Sequence, residues 1–167
     1  YCASGLESIA MATAKIRTGM AEIIVAGGTE SMSMVPTAGW KTVPSYAIAK
    51  DEPDYYLSMG LTAEAVAKEF NVNREDQDAF ALASHQKAAA AIANGYFKEG
   101  ILPIHVEQVY LNEKGKRAVK NYTFDTDEGV RADTSIEALA KLKPAFAQGG
   151  SVTAGNSSQT SDGAAFV

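Results

Sequence analysis

The chain has 167 residues, of which 46% are hydrophobic and 21% are charged, and this balance is ordinary for a globular protein that buries a core. Its net charge of −5 argues against nucleic acid or an anionic membrane surface as the main partner, and no apolar run approaches the roughly 18 residues of a membrane span. Because Cys2 is the only cysteine, an internal disulfide framework is excluded, which suits a reducing compartment.

Cys2 lies directly ahead of an apolar pattern with helical spacing, and Gly19 is the expected end of that helix. A thiol in the first turn of a helix meets unpaired backbone N–H groups and the positive end of the helix dipole, and both favour the thiolate. On position alone, a nucleophile and a small buried side chain are equally good interpretations. Ser4 and Gly5 keep the turn small, so an acyl group could approach the sulfur.

The next segment, residues 22–28, is a short β-branched run that ends in a glycine turn and predicts a fully buried strand. We therefore expect Cys2 to lie at a loop-to-helix junction over a sheet. Residues 35–57 combine prolines with aromatic residues and predict a long irregular excursion. Two helices are predicted after it, with Thr62 as the N-cap of the first and Asn73 as the N-cap of the second.

The last part of the chain predicts strands around one short helix. Residues 101–111 are expected to form a strand that turns at residues 112–115. Thr134 opens a sequence with capping-box spacing, so a short helix is expected there, and Pro144 is expected to stop it. Residues 163–167 predict a final strand.

Six short sequence blocks, spread over nearly the whole chain, carry a family signal: Cys2–Leu6, Ala26–Met32, Met59–Glu64, Arg74–Phe80, Lys141–Phe146 and Thr153–Ser158. Together they closely resemble the thiolase family, which comprises 3-ketoacyl-CoA thiolases and acetyl-CoA acetyltransferases. The blocks occur in the order of the family and at about its spacing. Each block alone is a weak signal, whereas the ordered set is highly specific.

The resemblance implies an α/β fold with two domains. Residues 1–35 and 153–167 would form part of the N-terminal catalytic domain, a layered α/β/α structure, and residues 36–152 would form a mostly helical inserted loop domain that binds coenzyme A. The chain starts without methionine and stops inside a predicted strand, so we expect a fragment that lacks the C-terminal thiolase domain. Targeting signals are then not visible, and the resemblance implies a cytoplasmic protein in bacteria and a mitochondrial or peroxisomal one in eukaryotes.

The resemblance also implies the chemistry. Cys2 matches the cysteine that carries the acyl group as a thioester, and its backbone N–H would help to form the oxyanion hole. Coenzyme A is implied as a substrate, with no permanently bound cofactor and no metal. Five residues match coenzyme A contacts: Met59, Arg131, Phe146, Ala154 and Ser158. Met59 and Phe146 could instead belong to the core, whereas Ser158 follows a loop without apolar periodicity.

The family also needs a histidine base in a Gly-His-Pro turn and a second cysteine, and neither motif is in this sequence. His85 and His105 lack the motif and are interpreted as structural or surface residues. We therefore expect the chain alone to be inactive and to come from a homodimer or homotetramer that binds acyl-CoA and CoA. Ser58 and residues 155–163 favour a degradative 3-ketoacyl-CoA thiolase of fatty-acid β-oxidation; the alternatives are a biosynthetic acetoacetyl-CoA thiolase and a non-catalytic acyl or lipid carrier.

Overall fold

The computed structural model describes residues 2–167 and divides the chain into two compact units. The first unit comprises the residues up to Tyr56 together with Ser158–Val167, and the second unit is Leu57–Ser157. The domain boundaries expected at residues 35 and 152 stay a prediction.

The first unit begins with helix α1, Ser4–Arg17. Glu7 lies in its first turn and Lys15 and Arg17 lie in its last, an arrangement of charges that suits the helix dipole. Gly19 follows with φ of +72°, a left-handed conformation that glycine adopts without strain. The predicted helix and its glycine end are therefore confirmed.

Strand β1, Gly27–Glu30, pairs antiparallel with β4, Gly163–Phe166. The predicted final strand is confirmed, but the strand predicted over residues 22–28 is wrong, since only its last two residues belong to β1. The ladder ends where Ala26 and Val167 exchange both backbone hydrogen bonds, at 2.9 and 2.8 Å. In the described part of the chain no strand pairs with residues 22–25, so this run forms no ladder, and Ile23 is 89% exposed.

The irregular excursion predicted over residues 35–57 contains two short helical pieces. Helix α2 is Tyr46–Asp51, and a single 3₁₀ turn follows at Pro53–Tyr56. The hydroxyl of Tyr56 accepts a hydrogen bond from the backbone N–H of Ser45 at 2.9 Å, which ties the start of α2 to the end of the turn. The rest of the excursion is irregular, as expected.

The second unit opens with helices α3, Met59–Glu69, and α4, Arg74–Ala93. The predicted N-cap at Thr62 is wrong: Ser58 is the N-cap of α3, and Thr62 lies inside the helix, where its hydroxyl donates to the Ser58 carbonyl at 3.1 Å. The predicted N-cap at Asn73 is confirmed, because its side chain accepts from the backbone N–H of Asp76 at 2.8 Å.

Strands β2, Ile104–Leu111, and β3, Arg117–Phe124, form an antiparallel hairpin. The predicted strand begins at Ile104 instead of residue 101, after Pro103, which has no N–H to donate to a ladder. The predicted turn is confirmed: Gly115 has φ of +68°, and the Asn112 side chain accepts from the backbone N–H groups of Lys114 and Lys116.

Helix α5, Ile136–Ala140, is the short helix predicted near Thr134. Its N-cap is Ser135, whose hydroxyl accepts from the Ala138 N–H at 3.2 Å, so the capping residue expected at Thr134 is wrong by one position. The helix ends before Pro144, which instead pairs with Thr153. Leu139 of α5, together with Val152, forms the buried apolar centre of the unit.

Candidate active site

Cys2 is an exposed free thiol in the turn that precedes α1. The helix begins at Ser4 with Ala3 as its N-cap, so Cys2 stands outside the helix, two positions ahead of its first residue. The sequence predicts Cys2 at a loop-to-helix junction, and its place in the turn just ahead of α1 confirms that junction. The sulfur is accessible to a reagent or an acyl group, and the small residues Ser4 and Gly5 follow it.

Ser158, in the same unit, is exposed, and its hydroxyl donates to the Gln159 carbonyl over 3.4 Å, a long contact that leaves the hydroxyl weakly engaged.

A stronger contact of the first unit joins the segment after β1 to the residue before β4. Asp162 accepts the backbone N–H of Ser33 at 2.8 Å and also its hydroxyl, and these hydrogen bonds lower the pKa of Asp162. Asp162 therefore fixes the backbone of the segment that follows β1.

Three of the predicted coenzyme A residues lie on segments of the second unit that touch one another. Met59, 72% exposed, is the first residue of α3, and the ring of Phe146 lies directly against the next residue, Gly60. A β-carbon at Gly60 would overlap that ring, so the contact requires glycine. The backbone N–H of Ala145 donates to the Val152 carbonyl at 2.9 Å, which joins the Phe146 segment to the loop that carries Ala154.

Arg131, the remaining residue of the predicted set in this unit, is exposed and is placed by its backbone. Its N–H donates to Nδ1 of His85 on α4 at 3.1 Å. His85 thereby accepts a hydrogen bond from the segment that presents the guanidinium, in keeping with the structural role expected of this histidine.

The loop around Ala154 is held from α3 by Glu64. The carboxylate accepts the backbone N–H groups of Ser151 at 3.0 Å and Val152 at 2.9 Å, and the hydroxyl of Ser151 at 3.2 Å. Desolvation raises the pKa of Glu64, but the backbone and hydroxyl donors outweigh it and hold the pKa below its ordinary value. Gly150 makes the approach possible, because a β-carbon there would lie 2.7 Å from the Glu64 carboxyl carbon.

The same loop is held from α4 by Asp78, whose exposure is only 3%. One carboxylate oxygen accepts from Nε of Arg74 at 2.7 Å, and the other accepts from Nδ2 of Asn156 at 2.9 Å. Arg74 extends the network to α5 by donating to the Leu139 carbonyl at 2.6 Å. In the part of the chain that the structure describes, every buried polar side-chain atom has a hydrogen-bond partner, so this network is complete.

Sequence reasoning singled out the blocks that contain Glu64, Arg74, Asp78 and Asn156 but gave these residues no role. One sequence feature did point to such roles: charged and amide side chains occur inside blocks whose other residues suit packing. The partners of Glu64, Arg74 and Asp78 are far along the chain, at residues 139–156, and spacing along one helix cannot identify them.

Comparison with known proteins agrees with this geometry. The family model of the thiolase N-terminal domain matches residues 1–167. The chain belongs to the thiolase family. The predicted α/β fold class is likewise confirmed, since the chain has the thiolase-like combination of helices and strands and aligns with two solved thiolase-family structures.

The 3-ketoacyl-CoA thiolase of Bacillus subtilis (strain 168) is 54% identical to this chain over 167 residues, covering 100% of the chain and 43% of that thiolase. The dimeric peroxisomal thiolase of Saccharomyces cerevisiae aligns with a TM-score of 0.81 at 36% identity, over 99% of this chain and 40% of its own. The acetyl-CoA acetyltransferase of Bacillus anthracis aligns with a TM-score of 0.75 at 37% identity, over 99% and 43%.

The chain therefore spans about two-fifths of the length of the thiolases that it matches. Within residues 2–167, no helix combines the length and the apolar character needed to cross a membrane.

Proposed function

We propose that the full-length protein is a 3-ketoacyl-CoA thiolase that cleaves its substrate through a thioester on Cys2, in the degradative direction of fatty-acid β-oxidation. The observation that carries the proposal is the family match over the whole chain, with the single exposed thiol inside the block that resembles the acylated cysteine of thiolases. The similarity to a Bacillus subtilis protein named 3-ketoacyl-CoA thiolase supports the same substrate class.

The proposed reaction has two transfers. The Cys2 thiolate attacks the 3-keto carbon, and the bond between C2 and C3 breaks with its electron pair left on C2, which takes a proton and departs as acetyl-CoA. The thiolate of a second CoA then attacks the thioester carbonyl, and the shortened acyl-CoA leaves as Cys2 regains its negative charge. A thioester suits both steps, because it is reactive enough to pass the acyl group to another thiol.

Coenzyme A is the proposed substrate, and the candidate contacts in the second unit are Met59, Arg131, Phe146 and Ala154. Ser158, in the first unit, is a separate candidate contact. The exposure of Met59, Arg131 and Ala154 supports a role toward a ligand over a role in a core. The base and the second cysteine are expected in other parts of the full-length protein. The dimeric state of the yeast relative supports a homodimer, and a homotetramer is the alternative.

The decisive experiment is acylation of Cys2 in the full-length protein. Incubation with a 3-ketoacyl-CoA should add one acyl group to Cys2, detectable by mass spectrometry of its proteolytic peptide. Cys2→Ser should reduce thiolysis by about 10³-fold or more, because a hydroxyl is far less ionised than a thiol and its ester is a poorer acyl donor.

Ser8→Ala is a matched control on α1, since the Ser8 hydroxyl bonds only the Gly5 carbonyl of the same helix, at 2.7 Å, in the described contacts. It should retain activity. Robust turnover by Cys2→Ser would exclude the nucleophile, and an unmodified Cys2 in the unaltered protein would favour the non-catalytic carrier.

A biosynthetic acetoacetyl-CoA thiolase is the second candidate, and the structural similarity to the Bacillus anthracis acetyl-CoA acetyltransferase favours it. Comparison of kcat/KM for a long-chain 3-ketoacyl-CoA and for acetoacetyl-CoA separates the two. We expect the long-chain substrate to be preferred, in line with Ser58 and residues 155–163.

A further inference from the structure

We propose that Asp78 is a positioning residue for acyl-CoA binding, acting through Asn156 on the backbone of residues 151–156. The inference rests on the proposed function, because it assumes that this loop, which carries Ala154, faces coenzyme A. Asp78 itself is 3% exposed and lies on α4, so it is buried away from any ligand.

The side chain of Asn156 closes the loop on itself. Its Nδ2 donates to the Ser151 carbonyl at 3.1 Å, and its Oδ1 accepts from the Thr153 N–H at 2.7 Å. One amide thus spans the turn and fixes the path of the backbone between these residues. The hydroxyl of Thr153, which is fully buried, then accepts from the Gly155 N–H at 3.1 Å.

Asp78 fixes the orientation of that amide together with the Ser151 carbonyl and the Thr153 N–H. A carboxylate can only accept hydrogen bonds, and one oxygen of Asp78 faces Asn156 at 2.9 Å while the other is occupied by Arg74. Asn156 must therefore turn its NH₂ toward Asp78, which leaves its carbonyl oxygen for the Thr153 N–H. With the amide reversed, two donors would face each other at Thr153 and two acceptors at Asp78.

The conformation fixed in this way exposes one residue between buried neighbours. Val152 and Thr153 are buried, Ala154 is exposed, and the backbone of Gly155 packs so closely on Leu139 and Leu142 that a β-carbon there would lie 2.5 Å from each. The loop therefore has no spare room on its inner side, and the position of Ala154 depends on the hydrogen bonds of Asn156. Loss of Asp78 should show first as weaker binding of the ligand that Ala154 faces.

The test uses Asp78→Asn in the full-length protein. An asparagine there presents an NH₂ group either to Arg74 or to Asn156, so one of the two contacts must break. We expect KM for acyl-CoA and Kd for CoA to rise at least about fivefold, while kcat and the extent of Cys2 acylation at saturating substrate change less than about twofold. Amide exchange in the peptide covering residues 149–157 should accelerate, because the Thr153 N–H loses its acceptor.

Asn73→Ala is the matched control: it removes the N-cap of the same helix, which bonds only Asp76 among the described side-chain contacts, and should lower Tm without changing KM. If Asp78→Asn does not accumulate, Asn156→Ala removes the same amide and should raise KM in the same way.

Unchanged KM and Kd in Asp78→Asn or Asn156→Ala, with only Tm lowered as in Asn73→Ala, would overturn the positioning role and leave the proposed function intact. Unchanged amide exchange in the peptide covering residues 149–157 of Asp78→Asn would overturn the orientation argument. If the unaltered protein neither binds CoA nor acylates Cys2, the proposed function fails, and this inference fails with it.

Discussion

The turn that carries Cys2 and the loop that carries Ala154 are held in different ways. Cys2 lies in a short turn ahead of α1, and the helix behind it is stabilised by its own backbone. The loop at residues 151–156 is held by side chains from two helices, with Glu64 bonded to its N–H groups and Asp78 bonded to Asn156. The proposed nucleophile is thus presented by local structure, and the proposed binding loop by long-range contacts.

The difference predicts where substitutions act. A local turn tolerates changes in distant residues, because few partners outside it fix its conformation. A loop that depends on buried charges is sensitive to residues far away in sequence, since breaking a buried ion pair leaves an uncompensated charge. We therefore expect the Ala154 loop to respond to substitutions on α3 and α4, and the Cys2 turn to be insensitive to them.

The largest expected effect on stability comes from Gly150→Ala, which disrupts the contact between Glu64 and the Ala154 loop. The added β-carbon would overlap the Glu64 carboxylate, so that side chain must leave its three donors. The carboxylate is the flexible end of its side chain and can move, so the cost is that of leaving the loop's donors without their acceptor, about 1–3 kcal/mol of unfolding free energy. Urea unfolding of the full-length protein measures it.

Gly100→Ala is the control for this prediction, since a β-carbon at Gly100 meets only the Phe97 carbonyl oxygen, at an ordinary 3.7 Å. It should be neutral or slightly stabilising. Equal effects of the two variants would mean that Glu64 does not hold the loop in solution.

Ser158→Ala should have a smaller effect, and on binding alone. The Ser158 hydroxyl makes only a long contact to Gln159, so its removal should leave Tm unchanged. If the hydroxyl meets the pantetheine amide, CoA affinity should fall by about 0.5–1.5 kcal/mol, a several-fold change measurable by titration calorimetry. Reduced stability with unchanged affinity would place Ser158 with the structural residues.

Arg131→Ala refines the same distinction on the nucleotide side of the ligand. We expect the affinities for CoA and dephospho-CoA to fall equally. The residues on either side of Arg131 are apolar, which favours stacking of its guanidinium beside adenine over an ion pair with the 3′-phosphate. Titration of both ligands checks it. A loss confined to CoA would assign the guanidinium to the phosphate instead.

The smallest expected effect is a pH dependence that the two units share. Glu64 and Asp162 both have lowered pKa values in the folded state, so each stabilises the fold above about pH 4.3 and loses that contribution as the pH falls through its folded pKa. Thermal unfolding between pH 6 and pH 3 should show a shallower loss of Tm in Glu64→Gln and Asp162→Asn than in the unaltered protein. Parallel curves for all three proteins would contradict the shared dependence.

Local features of the fold were predictable from the sequence. Asn73, Gly19 and Gly115 each act through a few neighbouring residues, and all three behave as their positions predict. The strand expected over residues 22–28 failed because strand formation needs a partner ladder, which a single apolar run does not supply. Thr62 failed because α3 begins about one turn earlier, at Met59, with Ser58 in the N-cap position.

In the candidate site, too, local features were predictable from the sequence and long-range contacts were not. Cys2 could be proposed as the nucleophile because its thiol and the start of its helix lie next to each other in the sequence, and its role stays a prediction. Asp78 and Glu64 could not be given roles, because their partners are brought close only by the folded chain. Helical spacing predicts which residues share a face, and it does not predict which loop that face will hold.

The antiparallel pairing of β1 with β4 has a consequence for the order in which the chain folds. Glu30 and Gly163 are partners in the ladder, and the whole of the second unit lies between them in the sequence. On the ribosome, β1 must wait until β4 emerges, whereas Leu57–Ser157 is continuous and can collapse earlier. Once the second unit has folded, the length of free chain between the strands is much reduced, and closing a loop costs about 0.6 kcal/mol less for each halving of its length. We therefore expect the second unit to act as the folding nucleus, and its failure to fold would delay the ladder behind Cys2.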